Sequence, residues 1–215
     1  VVNLWHRLKR KLLPPSAKLE GYENKELVDV IFRKTLAYHP IKEDWPDVMG
    51  VTTVLDFGGA CGVHYKEAIL HTPDVRWAVV ETPAMVDRAS ELASDRLKFF
   101  TSIATASYWL GSIDLMHSNG ALQYAADPKN VVSELCAARA TRMYWRRLVF
   151  SQGATVREMQ GSFLADNGPG TADSVEEKRV EYCRTRIPEQ TFIDAHSARY
   201  RLVDRGKDWF RFDRN

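Results

Sequence analysis

From the N-terminus, apolar positions first recur at helical spacing. Leu4, Trp5, Leu8 and Leu12 share one face of a predicted helix, with Arg7, Lys9, Arg10 and Lys11 mostly on the others. Pro14 and Pro15 end it. A second helix is predicted over 24–37, where Leu27, Ile31 and Lys34 fall on one face, and residues 39–50 read as a loop carrying Pro40, Trp45, Pro46 and Gly50. From Val51 the pattern changes to short β-branched and apolar runs alternating with helical segments. Strands are predicted over 51–57, 76–80, 97–100, 112–117, 142–150, 200–205 and 209–212. Helices are predicted over 64–71, 82–94, 127–140 and 188–197. Thr82-Pro83 and Asp127-Pro128 each supply an N-cap followed by proline at the first helical position. The stretch 151–181 breaks the rhythm with Gly153, Gly161, Gly168, Pro169, Gly170 and few apolar residues, which predicts a long loop or lid.

Strand–helix alternation of this kind argues a parallel sheet covered on both faces. The expected architecture is α/β: a Rossmann-like, doubly wound, mostly parallel seven-stranded sheet over 51–215, preceded by a helical extension or lid over 1–50. A chain of 215 residues suits one such domain. With 45% hydrophobic and 27% charged residues, disorder is excluded. A net charge of +2 gives no electrostatic case for nucleic acid as partner. Cys61, Cys136 and Cys183 lie far apart without metal-ligand spacing, so reduced thiols, no metal and a cytoplasmic location are expected. No leader peptide is expected, and no apolar run reaches the roughly 20 residues needed to span a bilayer. The basic N-terminal helix could lie on an anionic membrane surface, but packing against its own domain is the favoured expectation.

The segment Val54-Leu-Asp-Phe-Gly-Gly-Ala-Cys-Gly-Val-His-Tyr65 runs a strand into a glycine-rich turn that opens a helix. Such a turn brings backbone close to a nucleotide-type ligand. The dinucleotide register G-x-G-x-x-G fails here, which disfavours NAD. An acidic-x-G-x-G-x-G register instead places Asp56, Gly58, Ala60 and Gly62, with Gly59 between them, and resembles motif I of class I S-adenosylmethionine-dependent methyltransferases. Ala60 departs from it, standing where the middle glycine is usual. The loop geometry is expected to survive provided that position does not need φ > 0. Asp56 would receive the methionine ammonium, directly or through water, and would repel a pyrophosphate. Glu81, about twenty residues on at the end of Arg-Trp-Ala-Val-Val-Glu, would accept hydrogen bonds from both ribose hydroxyls. Thr82, Ser102, Ser118 and Asn119 complete the candidate cofactor contacts.

Together with the segments WAVVETPAMV, IDLMHSNGALQYAADP and GYENKELVDVIFRKT, the glycine loop resembles successive motifs of a bacterial methyltransferase family associated with polysaccharide and glycan biosynthesis. The likeness spans roughly residues 21–127. It implies the fold, S-adenosyl-L-methionine as cofactor and methyl transfer as reaction; it does not imply the acceptor.

For the chemistry, His117 near the end of the fourth strand is the first candidate base, with a scaffold role as the alternative. His64, Tyr65 and Tyr124 are candidate acceptor contacts or packing residues. Arg146 and Arg147, and Arg184 and Arg186 near the expected lid, suit an anionic acceptor such as a sugar or sugar nucleotide, or else surface ion pairs. The expected function is O-methylation of a small sugar or glycan precursor; the alternative is a non-catalytic protein that keeps the fold for binding or scaffolding.

Overall fold

The computed structural model describes residues 19–41, 50–170 and 178–215. The expected basic helix at the N-terminus and most of the loop around Trp45 lie outside the described residues. Strand β2 (Thr53–Phe57) is buried because Val54 and Leu55 fill opposite faces of the sheet. It pairs in parallel with β3 (Arg76–Val80) on one side and β5 (Leu115–Asn119) on the other. Strand β4 (Leu97–Phe100) extends the sheet beyond β3, and β6 (Arg142–Arg146) extends it beyond β5. Antiparallel β10 (Trp209–Arg214) and β9 (Tyr200–Arg205) close the far edge, giving the order β4-β3-β2-β5-β6-β10-β9. The expected mostly parallel seven-stranded sheet is therefore present. Its order reverses between β2 and β5, where an open doubly wound sheet leaves a crevice outside the strands' carboxyl ends.

Helices cover both faces. Helices α4 (Ile103–Leu110), α5 (Pro128–Ala137) and α6 (Glu189–His196) pack Ile103, Leu135 and Phe192 against Leu55, Met116 and Trp145. On the other face, α2 (Val63–Ala68) sets Ala68 against Val54 and Trp77. Helix α1 (Lys25–Ala37) and helix α3 (Pro83–Ala89) share a second apolar cluster built from Leu27, Ile31, Met85 and Ala89. The predicted caps form: Thr82 accepts from the Met85 amide with Pro83 at the first position, and Asp127 accepts from the Asn130 amide. Helix α4, capped by Ser102, fills a stretch to which the hydrophobic pattern assigned no element. Among the described residues no helix is long and apolar enough to cross a membrane.

The expected long loop over 151–181 is corrected. Strand β7 (Val156–Phe163) pairs antiparallel with β8 (Arg179–Arg186), and β8 pairs in parallel with the short β1 (Leu19–Glu20). Residues 171–177 lie outside the described residues. The half-buried face of β7 carries Glu158, Gln160 and Ser162, polar residues, so the strand lacks the period-two apolar signal that marks a half-buried strand. The burial comes from β8, whose Val180 and Tyr182 join the cluster with α1. Two strand ends also differ from expectation. β5 runs on to Asn119 instead of stopping at His117, and β6 stops at Arg146 because Arg147 turns into the left-handed region at φ 52°.

Candidate functional site

A cavity of about 1000 Å³ opens over the carboxyl ends of β3, β2, β5 and β6. Its floor is the loop Gly58–Ala60 after β2, Glu81 and Thr82 after β3, Asn119 to Ala121 after β5, and Arg147 after β6. Its roof comes from Tyr22, from helix α1, and from Gln160 and Arg184 of the second sheet.

The glycine loop is tightly fitted. A Cβ on Gly58 would lie 2.0 Å from the Cβ of Ala121, and one on Gly59 would lie 2.2 Å from Oδ2 of Asp56. No side chain fits at either position, so backbone forms the cavity floor there. Gly62 serves a different purpose: at φ 82° it starts helix α2, and it lies outside the cavity wall. The proviso on Ala60 is not met, because this residue adopts φ 49°. The alanine keeps the loop shape at the cost of left-handed strain, ordinarily ~1–2 kcal/mol for a residue with a Cβ.

Glu81 bridges the loop and helix α3. Its Oε1 accepts from the Ala60 amide at 3.0 Å and its Oε2 from the Thr82 amide at 2.9 Å. Each oxygen keeps a lone pair for a further donor, and the residue borders the cavity. Burial pushes its carboxyl up to about 7; the two amide bonds oppose that shift, and the charges of Asp56 and Glu23 reinforce it. A carboxylate with open lone pairs beside bare backbone is a donor set that fits an adenosyl ribose.

Asp56 is corrected from ammonium receptor to buried hub. It is 0% exposed and does not border the cavity. Its Oδ1 accepts from His117 Nδ1 at 2.8 Å, and its Oδ2 accepts from His64 Nδ1 at 3.2 Å and Trp77 Nε1 at 3.1 Å. Burial raises its pKa, but the two histidines outweigh that and hold it below the ordinary carboxylate range. His117 is likewise corrected as the base in contact with substrate. It is the register partner of Asp56, two residues beneath the end of β5, and 0% exposed. Burial, the largest influence, holds its imidazole below its usual pKa against the opposing pull of Asp56.

The histidine that borders the cavity is His64. With Nδ1 on the Asp56 carboxylate, Nε2 is the ring nitrogen left as acceptor, and Asn119 Nδ2 donates to it at 3.1 Å. One potential ligand atom each from Asp56, His64 and His117 lies within 4.8 Å of the others, a spacing a metal ion could use. In this structure both Nδ1 atoms lie within hydrogen-bonding distance of the Asp56 carboxylate.

Other candidates divide. Tyr124 borders the cavity, donates to Gln160 Oε1 at 3.1 Å, and packs edge-on to Tyr22 and Tyr182. Tyr65 instead packs edge-on to Trp77, Ser102 caps helix α4, and Ser118 is buried; none of the three borders the cavity. Arg184 borders it and Arg186 does not, and both guanidiniums are held by Glu158. That shared carboxylate orients the two guanidiniums and offsets one of their two positive charges. Residues without a sequence signal also contribute: Tyr22 and Gln160 reach the cavity only through the second sheet, which the pattern did not predict.

No protein-family model matches the chain, and no curated protein matches it. Solved structures do. The chain is similar to DesVI of Streptomyces venezuelae (TM-score 0.54, 13% identity, covering 88% of this chain and 89% of that one). It is similar to CalS10, a SAM-bound amino pentose methyltransferase of Micromonospora echinaspora (TM-score 0.53, 16% identity, covering 99% and 97%). It is also similar to the sugar N-methyltransferase KedS8 of a Streptoalloteichus species (TM-score 0.50, 16% identity, covering 100% and 93%). At these identities the likeness establishes the fold, that of class I S-adenosylmethionine-dependent methyltransferases.

Proposed function

We propose that this chain is an S-adenosylmethionine-dependent methyltransferase whose acceptor is a small sugar or glycan precursor, methylated on oxygen. The observation that carries the proposal is the convergence of the side-chain-free backbone at Gly58 and Gly59 with the half-satisfied carboxylate of Glu81 in one cavity. Glu81 and the loop amides hold the nucleoside. The bound cofactor supplies a methyl group on a sulfonium, activated for in-line displacement. A cavity of about 1000 Å³ leaves room for a small acceptor beside it. A hydroxyl acceptor must lose its proton, and His64 is the base in place: Asp56 fixes its tautomer and Nε2 faces the cavity wall at Asn119. Nε2 takes the proton once the acceptor displaces the Asn119 amide.

Calorimetric titration with adenosylmethionine, adenosylhomocysteine and NAD is the test, followed by mass spectrometry of a sugar panel for the gain of one methyl. The first two ligands should saturate the protein and NAD should not. Glu81→Ala should weaken both by about ten- to a hundredfold, the loss of a charged hydrogen-bond acceptor worth roughly 1.5–3 kcal/mol. His64→Gln should leave adenosylhomocysteine affinity in place and slow transfer by about 10²–10⁴-fold. Folded protein that binds neither sulfur ligand would refute the assignment.

A further inference from the structure

The cavity runs along the strand ends from Thr101 after β4, past β3, β2 and β5, to Arg147 after β6. Glu81 after β3 and Arg147 are three strand spacings, or about 14 Å, apart. Arg147 follows Arg146, the register partner of Asn119, so it lies on the acceptor side.

Three observations single it out. Its backbone is left-handed at φ 52°, a conformation that favours glycine or asparagine. Of the three non-glycine residues with positive φ among the described residues, two, Ala60 and Arg147, border the cavity. Second, the exposed Arg147 side chain lies over the neighbouring turn. Gly120 lies under it, and a Cβ there would come within 3.6–3.8 Å of the Cβ, Nε and Cζ of Arg147. Gln123, 7% exposed, ties the two turns together by donating from Nε2 to the carbonyls of Gly120 and Arg147. Third, the guanidinium has no carboxylate within ion-pair distance among the described residues, whereas Arg184 and Arg186 are both tied to Glu158. Asp208, whose carbonyl accepts from the Leu148 amide, does not pair with it.

We propose that Arg147 is the specificity-determining residue for an acceptor carrying an anionic group, a carboxylate or a phosphate, which its planar fork binds at the β6 end of the cavity. This rests on the methyltransferase assignment for the word acceptor, but the anion site itself does not depend on it. The strained turn is explained by the same interaction: a residue disfavoured by its backbone is retained where its side chain binds a ligand.

The test uses glucuronate, glucose 1-phosphate and neutral glucose as probes, titrated with and without saturating adenosylhomocysteine. At least one anionic sugar should bind tenfold or more tighter than glucose, and which one does so distinguishes carboxylate from phosphate. Arg147→Gly fits φ 52° better than arginine, so it should fold with an unchanged or higher melting temperature, and it should abolish the preference. Arg147→Lys should retain part of it, keeping charge but losing the fork. Adenosylhomocysteine affinity should be the same in Arg147→Gly and wild type. No preference for anions in wild type, or a preference that persists in Arg147→Gly, overturns the proposal. So does a loss of adenosylhomocysteine affinity in Arg147→Gly without loss of anion preference, which would assign the guanidinium to the cofactor carboxylate. Failure of adenosylhomocysteine to bind wild type at all would strike the methyltransferase assignment alone.

Discussion

At the scale of single residues, Glu81 sets the cofactor site's response to pH. Its free carboxyl titrates near 7, and ribose hydroxyls donate to the ionised form, so cofactor binding should favour loss of the proton. Affinity for adenosylhomocysteine is therefore expected to level off above pH 7 and to fall by about tenfold per unit below it. Calorimetry from pH 5.5 to 8.5 in buffers of different ionisation enthalpy would show proton release on binding below pH 7, and Glu81→Gln should flatten the profile. Ala60 gives a second prediction. Ala60→Gly relieves φ 49° but frees the unfolded chain, so a net gain of roughly 0.5–1 kcal/mol is expected by denaturant melts, with cofactor affinity preserved. The contrast between Glu81 and His117 shows what single-residue chemistry made legible. The glycine loop and the acid after the next strand are defined by short-range spacing and could be placed directly. His117 could not, because its role depends on where β5 ends. Two further residues of pairing put Asn119 at the cavity and leave His117 in the layer of Asp56.

Among the elements, the joint between α6 and the far edge of the sheet carries a buried titratable group. His196 is 0% exposed, donates from Nδ1 to the Phe192 carbonyl at 2.8 Å, and accepts at Nε2 from Trp145 Nε1 at 3.1 Å. Its ring stacks on Phe212 at 4.0 Å, so one imidazole links α6, β6 and β10. Burial lowers its pKa to about 4, the Phe192 carbonyl opposing the shift. The unfolded chain takes up this proton near pH 6.5 and the folded one near pH 4, so stability falls as pH drops through that window. Between pH 7 and pH 5 the contribution is roughly 2 kcal/mol. Urea midpoints should show wild type losing that much more than His196→Gln, a variant less stable at pH 7 but flatter with pH. The elements themselves were legible where the sheet is buried: all seven strands of the main sheet follow from short β-branched, apolar or aromatic runs. The second sheet was not, because the half-buried face of β7 is polar (Glu158, Gln160, Ser162) and the strand is held by its hydrogen bonds to β8.

For the whole molecule, the cavity is shared between two sheets that meet through three tyrosines. Tyr22 stacks on Tyr182 at 5.1 Å, and Tyr124 meets both edge-on at 5.4 Å, so the segment before α1, the turn after β5 and strand β8 form one aromatic contact. The central sheet supplies the cofactor floor and the second sheet the roof. Ligand that binds only the folded state should therefore stabilise the entire chain. At a hundred times its dissociation constant, adenosylhomocysteine should add about 2.7 kcal/mol, which for a chain of this size raises the melting temperature by roughly 5–11 °C. NAD at the same concentration should leave it unchanged. Hydrogen exchange can then separate cofactor from acceptor: the cofactor alone should slow amides around 58–62 and 119–124, while an acceptor should add protection around 147, 160 and 184. Protection of the roof by adenosylhomocysteine alone would mean that the cofactor bridges both sheets and that the acceptor enters a cavity already closed over it. Protection confined to the floor would leave the second sheet as the element that closes over the acceptor, consistent with a central sheet that binds the cofactor at Glu81 and the acceptor at Arg147 beneath a tyrosine-anchored roof.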